Sequence, residues 1–103
     1  MERWQPVAAE ELSQILEREL AKCEPSQREA FGRYRIAPRV TPIVRYGNAG
    51  LVFAVAERGD EVLYYEDVEG GFNISRLDSR GTIANPGYEQ WELRHALHHW
   101  LGR

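Results

Sequence analysis

Two runs of β-branched and aromatic residues, 51–57 and 61–66, are separated only by Arg58, Gly59 and Asp60, and this spacing constrains the fold more than any other feature. Gly59 can adopt the positive φ that the first position of a two-residue type II′ turn demands, so the runs read as an antiparallel hairpin. With Arg58 opposite Glu61, strict alternation sets Val55 across from Tyr64 and Phe53 across from Glu66 on one face. On the other, Ala56 faces Leu63 and Ala54 faces Tyr65, small residues that let a helix approach closely. Phe72 and Ile74 alternate with Asn73 and Ser75, which predicts a third strand ending near Leu77. Residues 78–81 form a turn, residues 82–84 can add a short fourth strand, and Asn85-Pro86-Gly87 closes the sheet region.

Helical patterns flank this meander. Pro6 suits a first helical position, and Leu12, Ile15, Leu16, Leu20 and Cys23 recur on one face of a helix expected over residues 7–22. Pro25 disfavours helical geometry at Glu24 and ends it. Cys23 closes the apolar stripe as a structural thiol. Ser26-Gln27-Arg28-Glu29 has the form of a capping box opening a short second helix to about Arg33. Pro38, Pro42, Gly47 and Gly50 then interrupt residues 34–50, leaving an extended edge segment whose best strand is 43–46. A last helix over residues 88–101 places Leu93, Ala96, Leu97, Trp100 and Leu101 on one face, with Gly102 as its stop. The expected architecture is a single α+β domain over residues 1–103: an N-terminal helix, a short second helix, an antiparallel meander of three to four strands, and a C-terminal helix packed on the sheet. Leu16, Leu20, Val55, Leu63, Ile74, Leu93 and Leu97 are its expected core.

A chain of 103 residues has room for one modest core. Its longest apolar run, residues 51–56, falls far short of the ~20 residues that span a bilayer. The start lacks a secretory profile and one cysteine cannot form an internal disulfide, so a cytoplasmic location is expected, with no membrane partner. An isoelectric point near 5.6 argues against a nucleic-acid partner. Charge is uneven: residues 1–46 carry eight bases and seven acids, while residues 47–103 carry five and nine. Five arginines against Glu29 make a basic stripe between Arg28 and Arg45, read as solvated surface.

No enzyme motif is present. Glu92, His95 and His99 fall on the polar side of the last helix and could supply three metal ligands, but the H-E-x-x-H pattern is missing and histidines near a helix C-terminus favour the macrodipole. A solvated face is expected, with no metal and no cofactor. Glu66, Asp67 and Glu69 cluster in one loop, which does not establish a carboxylate pair across a cleft. Gly70-Gly71 lacks the spacing and the lysine of a phosphate loop.

What remains is a surface. Tyr64, Tyr65, Glu66, Asp67 and Glu69, with Asp60 and Glu61 at the hairpin tip, join aromatic area to one sign of charge and form the candidate partner-binding segment. Two helices cover one sheet face, so the other is expected to be open to a partner. The competing reading has Tyr64 finishing the core and the acids keeping the protein soluble.

Val52-Phe53-Ala54-Val55-Ala56-Glu57-Arg58-Gly59-Asp60, then Tyr65-Glu66-Asp67-Val68-Glu69-Gly70-Gly71-Phe72-Asn73-Ile74-Ser75, then Gln90-Trp91-Glu92-Leu93-Arg94-His95-Ala96-Leu97 resemble small bacterial immunity-type proteins paired with polymorphic or contact-dependent growth-inhibition toxins. The resemblance covers about half the chain and carries over no residue role. It implies a cytoplasmic, non-enzymatic protein that binds a cognate toxin domain, often a nuclease, and blocks it. The alternatives are a protein-interaction or oligomerisation domain without a toxin partner, and a metal-dependent enzyme using Glu92, His95 and His99.

Overall fold

Arg58 and Glu61 do pair across the turn, and Gly59 takes a φ of 63° while Asp60 does not become positive, as a type II′ turn requires. The hairpin belongs to an α+β fold whose computed structural model describes residues 9–67 and 70–103. In chain order the elements are α1 (Ala9–Ala21), α2 (Pro25–Tyr34), β1 (Arg35–Arg45), β2 (Asn48–Arg58), β3 (Glu61–Glu66), β4 (Gly71–Arg76) and α3 (Leu93–Leu101). The four strands form one antiparallel sheet in sequential order. The expected start of α1 near Pro6 and Val7 lies outside the described residues.

Alternation holds only as far as Ala56. Ala56 faces Leu63, but the next pair is Ala54 with Tyr64, then Phe53 with Tyr65, so Val55 is an extra residue in β2. This bulge overturns the expected Val55–Tyr64, Ala54–Tyr65 and Phe53–Glu66 pairs. It also turns both Val55 and Ala56 toward the helices, where they pack with Leu12, Leu16, Phe31, Leu63, Phe72, Leu93, Leu97 and Trp100. Of the expected core, Leu20 and Ile74 are only partly buried; the other five are fully enclosed.

Three element boundaries differ from expectation. The second helix begins at Pro25, and its box uses Glu24 and Gln27 in place of Ser26 and Glu29: Gln27 Oε1 accepts the Glu24 amide at 3.0 Å. Proline at the first helical position costs no hydrogen bond there, which favours this earlier start. The edge segment is a full eleven-residue strand, because an edge position and an irregularity between Arg35 and Arg39 accommodate Pro38 and Pro42. The last helix starts only at Leu93, since Trp91 exchanges two backbone hydrogen bonds with Phe72 along the free edge of β4. The expected fourth strand at residues 82–84 is a single bridging residue, Ile83, bonded to Pro42 and Val44.

Ile83 and the chain that follows it close the second face of the sheet. Ile83 packs with Ile43, Val52, Ala54, Val62 and Tyr64 in a separate apolar cluster. Tyr64 Oη accepts the Gly87 amide at 2.9 Å and lies 3.1 Å from Ser75 Oγ, which donates to Asn85 O. Asn73 Oδ1 accepts the Glu89 amide at 2.8 Å. The chain after β4 therefore covers the face opposite the helices.

Candidate functional site

The segment selected from the sequence does not form one surface. Tyr64 and Glu66 share the sheet face covered by the chain after β4, and both are buried. Burial and solvent loss push the Tyr64 phenol above its ordinary pKa, against its hydrogen bonds to Ser75 and Gly87. The Glu66 carboxylate, 4% exposed, accepts a hydrogen bond from Arg45 Nη2 at 2.5 Å. It is a buried ion-pair partner, not a surface acid. Tyr65 points toward the helices and packs edge-on against Phe72, with ring centroids 5.1 Å apart. Asp60 is exposed but held by Arg76 at 2.6 Å, and Glu61 is held by Arg58 and by the Trp100 indole N–H at 3.2 Å. Asp67 is half-buried, and Glu69 lies outside the described residues.

Nor do the histidines make a metal centre. Among the described residues no three His, Cys, Asp or Glu side chains converge in a way that could hold a metal ion. Glu92 precedes α3 and makes ion contacts with Arg94 at 3.4 Å and Lys22 at 3.8 Å, while the His99 ring stacks on Trp91 with centroids 4.6 Å apart. The groove of about 480 Å³ that His95, His98 and His99 line with Lys22 and Arg94 thus has its two permanent cations already paired.

The open surface is on β1 and β2. Their turn is Tyr46-Gly47, with φ of 53° and 77°, the two positive values of a type I′ turn. In the adjoining register Val44 faces Ala49, Pro42 faces Leu51 and Val40 faces Phe53, and all six side chains lie on one face. The first five are exposed, Val40 to 49%. No charged residue falls among them. Their face is the one the helices occupy further along the sheet, where α2 packs on β2 and α3 on β4. Among the described residues, none packs over the outer half of the hairpin on this face.

Across the strands, Arg39 and Arg45 project to the other side. Arg39 pairs with Glu57 at 3.0 Å in the open, and the Arg45 guanidinium stacks over the Tyr88 ring, 4.7 Å from its centroid. Tyr88 in turn lies 5.9 Å from Tyr46. Tyr46 is 83% exposed, and beneath it a shallow cavity of about 240 Å³ reaches Arg45, Asn48, Gly50 and Glu66. Pro38 and Pro42, with Gly47 and Gly50, mask this hairpin in the sequence pattern. The signal that could have found it is Tyr46-Gly47-Asn48, a turn sequence between two apolar runs.

Comparison with known proteins found nothing similar: no family model, no characterised sequence and no solved structure matches the chain. Among the described residues no helix is long and apolar enough to cross a membrane.

Proposed function

We propose that this chain is a non-enzymatic partner-binding protein of the immunity type, which neutralises a bacterial toxin domain by docking on it through the outer half of the β1–β2 hairpin. The observation that carries the reading is the uncharged exposed face of Val40, Pro42, Val44, Ala49 and Leu51. Apolar side chains scattered singly over a surface need no explanation, but a contiguous group on a flat, hydrogen-bonded sheet marks an interaction site. The twist and register of the hairpin are set by its turn and its ladder, so little ordering entropy remains to be lost on docking.

Asp60 and Glu61 do not share this surface, because they lie at the opposite end of β2 from Tyr46 and are engaged by Arg76, Arg58 and Trp100. The acidic segment is therefore replaced by the hairpin as the proposed docking element. The test is a binding titration between the purified chain and the product of the gene immediately upstream of it, with that product assayed for toxin activity alone and in the presence of the chain. A saturable one-to-one complex that Val44→Asp or Leu51→Asp weakens, with the variant still folded by circular dichroism, is the expected result. A wild-type chain that leaves that product unbound and active contradicts the reading.

A further inference from the structure

We infer that the hairpin enters a cleft of its partner tip first, with Tyr46 as the anchoring side chain and carboxylates at the mouth of the cleft facing the hairpin arginines. The inference rests on the docking reading above and names the partner's chemistry. Three independent observations lead to it.

The first is conformational. Tyr46 holds a φ of 53° at a turn position that glycine, asparagine and aspartate occupy without penalty, whereas a bulky residue there is strained. Its ring is 83% exposed, so core packing does not account for the choice. An exposed tyrosine kept in a strained backbone is a large, stiff contact surface that loses few rotamers on burial.

The second is electrostatic. The β1–β2 hairpin, residues 35–58, contains four arginines and one acid, Glu57, whereas the rest of the chain has nine bases against fifteen acids. The hairpin is the basic arm of an acidic protein. Arg35 is exposed, and the Arg39–Glu57 pair is open to solvent, so Arg39 can exchange Glu57 for a carboxylate of a partner at little cost.

The third is area. Five partly exposed side chains offer on the order of 300 Å², below the ~800 Å² per partner of a stable interface. Two copies meeting face to face would fall short. A cleft that receives the apolar face, the tip and the arginine side together adds the 83% exposed Tyr46 ring and the exposed Arg35 and Arg39 to that area. The uncharged face also favours a protein over a nucleic acid, which would meet phosphates with valines.

The test uses the product of the gene immediately upstream as probe for the proposed toxin domain, titrated against the wild type, Tyr46→Asn and Arg39→Glu at two salt concentrations, with a melting curve for each. Tyr46→Asn keeps or raises the melting temperature, because asparagine tolerates the left-handed region, yet weakens binding about thirtyfold or more. Arg39→Glu slows association and removes much of its salt dependence. If the wild type binds and Tyr46→Asn binds equally well, tip insertion is wrong while the docking reading stands. If the wild type does not bind, both fall. Sedimentation showing a dimer lost in Leu51→Asp, or duplex DNA bound more tightly than the toxin domain and released by Arg39→Glu, also overturns the proposal.

Discussion

Glu19 Oε1 on α1 accepts the backbone amide of Leu93, the first residue of α3, at 2.9 Å. Glu92, at the N-cap position itself, makes no capping bond with its side chain, so a carboxylate from another helix supplies the cap. Burial alone would raise the Glu19 pKa, but the Leu93 amide and the Lys22 ammonium outweigh it and hold the group below its ordinary value. A carboxylate lowered in the folded state stabilises fully above its unfolded pKa, and the stabilisation is lost as pH falls through the lowered folded value. Glu19→Ala should cost about 1 to 2 kcal/mol at neutral pH. Urea melts at pH 7 and at pH 3 check this: the gap between wild type and variant should narrow at the lower pH.

Burial of Glu66 makes a second prediction. Glu66→Ala leaves the Arg45 guanidinium without its carboxylate at a site only 21% exposed, and should cost about 3 kcal/mol. Replacing both members with apolar residues, Arg45→Met with Glu66→Leu, should recover most of the loss, because neither charge is then buried alone. Chemical denaturation of the two single variants and the double variant measures this directly.

Two glycines separate close approach from mere permissiveness. A Cβ on Gly71 would fall onto the backbone of Gln90, where the chain returns to bond Phe72, whereas a Cβ on Gly50 would meet Ile43 Cγ2 at an ordinary 3.6 Å. Gly71→Ala should therefore cost about 1 to 3 kcal/mol or more, and Gly50→Ala should stay within about 0.5 kcal/mol. Thermal melts of the two variants side by side show the contrast.

How much of this was legible in the sequence follows from what periodicity can report. The apolar stripe of α1 and the β2–β3 hairpin were legible because Leu12 and Leu16 recur at helical spacing and Gly59 sits between two alternating runs. The bulge was not, since Ala54-Val55-Ala56 is apolar throughout and an inserted residue leaves no break in the pattern. Neither was the cover over Tyr64. Ile83, Gly87 and Glu89 belong to irregular chain without a period, and they are held there by Tyr64 and Asn73 from elsewhere in the fold. That cover is why Tyr64 and Glu66, which alternation alone leaves open, are buried, whereas the Val40–Leu51 face is masked in the sequence by Pro38, Pro42, Gly47 and Gly50.

The central claim, that the chain docks through the outer half of the hairpin, is tested most directly by backbone amide exchange on the chain alone and mixed with the product of the gene immediately upstream. Residues 40–51 should gain protection in the complex, while the turn at residues 58–61, with Asp60 and Glu61, should exchange as it does in the free protein. Protection confined to residues 58–67, with residues 40–51 unchanged, would contradict the account and return the interface to the acidic segment.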